Sequence, residues 1–374
     1  MPQTVELQGH KTSEGSANRQ LIRSFDAMEF YVGNAHQSAY YLRRQFGLVP
    51  RMRAGLDTGT SEATSYLLSE GGVQFIVSSP IRQGAIATYV HQHGEGIRDV
   101  SFSVNDVDSV FTYAIENGAK GIEKPHWVNE GEHKIRKATL AGPGDTVHSL
   151  VRRNKEAGFS LPGGRAIETT DTDREFGLNC IDHVAIAVEQ GELDQWAAYY
   201  KAAFRFDITH EEITATKMTA MRSKVVENEL GTVKIVLLEP ASAKKQSQIQ
   251  DFLEYHYGPG VQHVAILCES IARTVAGLRA NGVEFISIPE TYYELLPTRF
   301  DVPIDDIATL RELRLLVDKD EWGDLIQTFT KPLTSRPTLF FEFIQRNGAR
   351  GFGSGNIRAL FEALECAQGR SLSA

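Results

Sequence analysis

His183 lies in Ile181-Asp182-His183-Val184-Ala185-Ile186-Ala187-Val188, His263 in Gly260-Val261-Gln262-His263-Val264, and Glu342 in Leu339-Phe340-Phe341-Glu342-Phe343-Ile344. Each interrupts an apolar, strand-like run. A single histidine in such a run is more often a hydrogen-bonded core residue than a ligand. The glutamate is harder to place, because an unpaired buried carboxylate costs several kcal/mol and calls for a cation. Together, two imidazoles and one carboxylate form the set that holds a non-haem Fe(II) and leaves positions open for substrate and O2. Mn, Co or Zn could occupy the same ligands.

These residues gain weight from an internal repeat. Phe25-Asp26-Ala27-Met28-Glu29-Phe30-Tyr31-Val32 parallels Ile181 to Val188, and Tyr40-Tyr41 before Phe46-Gly47 parallels Tyr199-Tyr200 before Phe204-Arg205-Phe206. Gly94-Glu95-Gly96-Ile97-Arg98-Asp99-Val100 parallels Gly258 to Val264, and Asn117-Gly118-Ala119 parallels Asn281-Gly282-Val283. His148-Ser149-Leu150-Val151-Arg152-Arg153-Asn154 parallels Phe341 to Asn347. Where the second copy has His183, His263 and Glu342, the first has Ala27, Asp99 and Ser149. All three candidate ligands therefore fall in one copy.

The elements that must position them follow from the patterning. Early alternation of apolar and polar residues marks half-buried strands, and each is followed by an amphipathic helical stretch. The chain reads as α+β: two copies, each of two βαβββ modules with one helix per module. The expected units are residues 20–157, a structural domain without metal ligands, and residues 178–374, which carry the metal site. Glycines, prolines and a threonine-rich run near residues 155–178 suggest a linker. Ile357, Leu360, Phe361 and Leu364 recur at helical spacing and predict a final helix over 357–365 that faces the protein.

Composition narrows the alternatives. The 374 residues carry a net charge of −9 and are 41% hydrophobic, a globular balance with no basic stripe for nucleic acid. No run approaches the length of a membrane span. Cys180, Cys268 and Cys366 are too scattered for a disulfide framework, and the first residues are polar, so the expected location is cytoplasmic. Other motifs read as bland. His91 and His93 suggest a solvated polar loop, and His126, His133, His210 and His256 have no partner at ligand spacing. Gly351-Phe352-Gly353-Ser354-Gly355 lacks the lysine of a phosphate loop and reads as a flexible hinge.

Two further runs carry a family resemblance: Lys245-Gln246-Ser247-Gln248-Ile249 leading to His263, and Gln327-Thr328-Phe329-Thr330-Lys331-Pro332 leading through Glu342 to Gly351-Phe352-Gly353 and Asn356. With the three candidate ligands, they resemble the family of 4-hydroxyphenylpyruvate dioxygenase and 4-hydroxymandelate synthase over about residues 20 to 366. The resemblance implies a vicinal oxygen chelate fold: two open barrels plus a C-terminal lid helix, with Fe(II) in the second barrel. It implies an arylpyruvate substrate whose own α-keto acid chelates the iron, and O2 as co-substrate. It also implies a homodimer or homotetramer. By resemblance Ser223, Gln262 and Gln327 are catalytic polar groups. Ser223, Gln248, Gln262 and Gln327 line the polar side of the pocket, Phe329, Phe340 and Phe352 clamp the ring, and Leu238, Asn356 and Ile357 complete it. The dioxygenases have Pro-Ile-Asn-Glu-Pro where this chain has Val236-Leu237-Leu238-Glu239-Pro240, and Asn-Phe where it has Asn356-Ile357. Both departures resemble the mandelate synthase pattern. The expected reaction converts 4-hydroxyphenylpyruvate to 4-hydroxymandelate and CO2, with homogentisate formation as the alternative. A non-catalytic small-molecule binding protein is the remoter reading, since this fold also serves sequestration.

Overall fold

The computed structural model describes residues 21–130, 133–153, 159–168, 175–215, 219–300 and 304–358. The first copy begins with β1 (Ile22–Tyr31), α1 (Ala35–Phe46), β2 (Val49–Ala54), β3 (Ala63–Glu70) and β4 (Val73–Pro80). Helix α2 (Ala85–His93) leads to β5 (Gly96–Val104), α3 (Val107–Glu116), β6 (Gly121–Glu130), β7 (His133–Ala141) and β8 (Val147–Arg152). Local chemistry sets the boundaries. The Asn34 side chain accepts from the Gln37 amide at the start of α1, and Gly47, at φ 72°, ends it in the left-handed region.

The second copy repeats the order with β10 (Leu178–Ala187), α4 (Leu193–Phe204), β11 (Asp207–Ala215), β12 (Ala220–Glu227) and β13 (Lys234–Ala241). Then come α5 (Gln248–His256), β14 (Gly260–Cys268), α6 (Ile271–Ala280), α7 (Glu290–Arg299), α8 (Ile304–Leu313), β15 (Leu316–Lys319), β16 (Asp324–Phe329) and β17 (Phe340–Asn347). One helix per module therefore fails here: α7 and α8 are inserted between α6 and β15, where they bury Tyr292, Tyr293 and Leu296.

Each copy forms one mixed sheet. The first runs β6-β7-β8-β5-β1-β4-β3-β2-β9, its edge being the short β9 (Arg165–Ala166), and the second runs β11-β12-β13-β10-β14-β17-β16-β15. The two registers correspond. Asp99 pairs with Val147 and His263 with Phe340, so Ser149 and Glu342 each lie two residues beyond the match. The inferred equivalence of Ala27 with His183 follows in the same way from Met28 opposite Phe75 and Val184 opposite Ile235.

One apolar core joins the copies. Phe341 of β17 packs among Phe30, Phe46 and Phe75 of the first copy, and its repeat counterpart His148 packs against Phe102, Tyr200 and Phe204. Emptying the Phe341 site would cost about 3–5 kcal/mol. The His91–His93 stretch is not a solvated loop but the end of α2. His93 is buried, stacks on His256 at 4.4 Å and hydrogen-bonds to the His256 carbonyl and Asp145. Its partners His256 of α5 and Asp145 lie far along the chain, so local sequence does not show this. The linker is likewise partly structured, since β9 extends the first sheet by pairing with β2. Among the described residues no helix is long and apolar enough to cross a membrane.

Candidate metal centre

Three strands of the second sheet bring His183, His263 and Glu342 together. His183 is on β10, His263 on its antiparallel neighbour β14, and Glu342 on β17, which runs parallel to β14. His183 Nε2 lies 3.2 Å and His263 Nε2 3.4 Å from Glu342 Oε2. One ligand atom from each residue falls within 4.8 Å of the others, the only such group of potential metal ligands among the described residues.

The outer nitrogens of both rings are already engaged. His183 Nδ1 contacts Asp182 Oδ1 at 2.9 Å, and His263 Nδ1 contacts Gln262 Oε1 at 3.1 Å. A ring that donates from Nδ1 presents the Nε2 lone pair inward, the arrangement metal-binding histidines use. Asp182 is held in turn by Arg346, whose Nε and Nη2 donate to its two oxygens at 2.7 and 2.8 Å. Arg346 also donates to the Gly351 carbonyl at 2.6 Å, tying this network to the loop that carries Phe352.

The electrostatics favour an anionic, cation-seeking site. Burial disfavours charge on Glu342, but His183 and His263 outweigh it and hold the carboxyl down at about 2. Burial likewise opposes charge on His183, yet Glu342 and Asp182 raise its pKa above the ordinary value. For His263 burial prevails and lowers it. Asp182 is buried, but its hydrogen bonds from Arg346 and His183 keep it far below the usual carboxylate range. Two open imidazole nitrogens, an ionised carboxylate and a paired outer shell fit a divalent transition metal, and Fe(II) in particular suits this donor set.

The cavity beside these atoms measures about 50 Å³ and is walled by Met221, Val236, Leu238, Ile249, Phe352 and Ile357 on its apolar side. Gln248, Gln262, Gln327, Phe329 and Phe340 complete it. Phe340 stacks on His263 at 4.9 Å, and Phe352 meets His183 edge-on at 5.3 Å. Gln327 lines the cavity, is 1% exposed, and its amide oxygen has no hydrogen-bond partner among the described residues. Only a glycine fits beside it: a Cβ at Gly353, φ 73°, would lie 2.8 Å from that oxygen. A chamber of about 330 Å³ adjoins, sharing Gln248, Gln262, Phe329 and Phe340 as walls. The chamber reaches the size at which small-molecule pockets begin, about 300 Å³, and the inner cavity alone does not.

Ser223 and Asn356 stand outside the cavity wall. Ser223 is opposite Leu238 in the β12–β13 ladder, and Asn356 accepts a hydrogen bond from Tyr292 at 3.1 Å. Met221, Val236 and Ile249, which line the cavity, were not singled out from sequence. Val236 and Met221 each precede a singled-out residue by two, and strand period alone places them on the same face. Asp182 and Arg346 were also missed, although Asp26 and Arg153 repeat them. The glycine-rich run is pinned rather than a free hinge, because Asp320 accepts from the Arg350 and Gly351 amides and Asp318 from the Gly355 amide. The predicted final helix lies outside the described residues beyond 358.

Residues 180–300 match the family described as the Glyoxalase/Bleomycin resistance protein/Dioxygenase superfamily. The chain is 36% identical to 4-hydroxyphenylpyruvate dioxygenase of Aspergillus fumigatus, over 97% of each chain. It is 36% identical to the Xenopus tropicalis enzyme of the same name, over 92% of this chain and 91% of that one. A triple mutant of 4-hydroxymandelate synthase from Streptomyces coelicolor superposes with a TM-score of 0.86 at 36% identity, covering 93% of this chain and 100% of the other. The sheets accordingly form the tandem half-barrels of the vicinal oxygen chelate fold.

Proposed function

The chain belongs to the family of 4-hydroxyphenylpyruvate dioxygenase and 4-hydroxymandelate synthase, and from that premise we propose that it is an Fe(II)-dependent oxygenase converting 4-hydroxyphenylpyruvate and O2 to 4-hydroxymandelate and CO2. The second copy is the catalytic unit, with His183, His263 and Glu342 holding the metal. Bound Fe(II) would supply O2 activation and, with it, oxidative decarboxylation of the α-keto acid and hydroxylation of the arylacetate that is left.

The remaining work belongs to the side chains. Gln248, Gln262 and the unpartnered amide of Gln327 offer hydrogen bonds to the polar ends of the substrate. Phe329 and Phe340 provide the aromatic faces beside His263 that hold the ring. Phe352 and Ile357 cover the centre and keep water out, with Arg346 anchoring their loop. Ser223, beside Leu238 on the same face of the β12–β13 ladder, and Asn356, bonded to Tyr292, act by positioning those walls.

The observation that carries the choice of product is the pair Leu238 and Ile357 in the cavity wall. An aliphatic side chain in place of phenylalanine leaves room beside the ring, and leucine in place of asparagine removes a hydrogen-bonding group. The ring can then settle with its benzylic carbon, rather than a ring carbon, toward the metal, and displacements of about 1 Å decide such reactions. Homogentisate is the second reading, favoured by relatives that bear the dioxygenase name. Iron-loaded enzyme is given 4-hydroxyphenylpyruvate and O2 and the product identified. Mandelate is expected, and Leu238→Asn combined with Ile357→Phe should move product toward homogentisate. Homogentisate as the main product of the unaltered enzyme would sink the proposal.

A further inference from the structure

The first copy encloses a cavity of its own, about 300 Å³, in the place that corresponds to the metal cavity. Asp99 and Ile76 line it where His263 and Val236 line the other. The same bridge stands behind it: Arg153 donates to Asp26 from Nε and Nη2, at 2.9 Å each, as Arg346 does to Asp182. The same kind of cover lies over it. The Arg153 guanidinium sits 3.8 Å above the Phe159 ring, and Leu161 and Pro162 close the wall, as Arg346 sits over Phe352 in the second copy.

The ladder registers identify what faces this cavity. Thr139 pairs with Ser149 and Lys137 with Val151, while Phe329 pairs with Glu342 and Gln327 with Ile344. Lys137 is therefore the counterpart of Gln327. Its ammonium has no hydrogen bond and no ion pair within 4 Å among the described residues, although Glu29, Asp99 and Glu123 surround it. Burial opposes its charge, but those carboxylates outweigh burial and hold its pKa above the ordinary value. Glu29 accepts a hydrogen bond from Ser78 and Glu123 one from Thr139, and burial raises the pKa of Glu29. Asp99 is spoken for by the Ser149 amide and hydroxyl.

We propose that this cavity is a second binding site, for a small α-amino acid with an apolar side chain. The ligand carboxylate meets Lys137 and its ammonium meets Glu29 and Glu123. A carboxylate alone would face the surrounding acids, and an amine alone would face Lys137 and Arg153; a zwitterion answers both. Ile76, Val128, Ile135 and Val151 form the apolar wall for the side chain.

Calorimetric titration of the iron-loaded full chain with L-phenylalanine, 2-phenylethylamine and phenylacetate tests this. Phenylalanine should bind saturably, and about tenfold or more tighter than either fragment. Lys137→Met should weaken it by about tenfold or more, while Glu342→Ala, which disables the metal centre, should leave it unchanged. Should Lys137→Met not fold, Glu123→Gln at the exposed rim replaces it, with weakened binding again expected. No saturable binding, a fragment binding as tightly as the amino acid, or unchanged affinity in Glu123→Gln would overturn the proposal. So would binding lost in Glu342→Ala but kept in Lys137→Met, which would put the amino acid at the metal centre.

Discussion

Both copies keep a buried aspartate–arginine bridge, Asp26–Arg153 in the first and Asp182–Arg346 in the second. They differ in what stands in front of it. In the second copy Asp182 orients His183, which faces Glu342 and His263. In the first, Ala27 has no ligand to offer, and Asp99 turns its carboxylate onto Ser149. The bridge thus belongs to the barrel, joining the first strand of each copy to the end of its last, while the candidate metal centre of the second copy rests on three side chains that the first copy lacks. The cavity walls diverged with it: aliphatic and aromatic around the metal ligands, charged in the first copy.

The most severe way to break the comparison is to remove a ligand from each copy. Glu342→Ala should lose iron binding and turnover to below detection, measured as iron content and substrate-dependent O2 uptake. Asp99→Ala should cost about 1–3 kcal/mol of stability by stranding the Ser149 donors, yet leave iron content and turnover intact. An iron-free, inactive Asp99→Ala protein that is normally folded would contradict the assignment.

A smaller effect is expected one shell out. Asp182→Asn should weaken iron affinity about 10–100-fold, because His183 loses the carboxylate that orients its ring. Asp26→Asn should leave iron affinity alone while lowering the melting temperature. Equal iron affinities in the two variants would mean that the bridge does not serve the metal.

The mildest contrast is in pH. His148, buried in the first copy, is held down at about 4 by burial against its ordinary 6.5, whereas its counterpart in the second copy is Phe341. Below pH 6.5 the unfolded chain takes up a proton that the folded His148 refuses, so stability falls as pH drops from 6.5 toward 4. The full loss is about 3 kcal/mol. His256, also at about 4, acts in the same sense. Denaturant unfolding from pH 7 to 4 should show this slope, and His148→Phe, copying the second copy, should flatten it. An unchanged slope would show that His148 is not its source.

Much of this was legible without coordinates. The repeat, the α+β modules and the three candidate ligands follow from apolar period and from comparing the copies position by position. Leu238 and Ile357 stand out once the family pattern is laid beside them. His93 was not legible, because its burial depends on a helix that begins at Gln248, far along the chain. The inserted α7 and α8 broke the repeat and so had no copy to reveal them.

The residue types that can bind a metal, and the strands that carry them, are properties of the sequence. That His183, His263 and Glu342 share one cavity is a property of the sheet, because only strand pairing brings positions so distant in the chain within 4.8 Å. The sheet also decided that Asp182 and Arg346 stand behind the ligands, that Gln327 is left with an unmet hydrogen bond, and that Lys137 takes its place in the other copy. Burial and partnership depend on neighbours remote in sequence, and those neighbours exist only once the chain has folded.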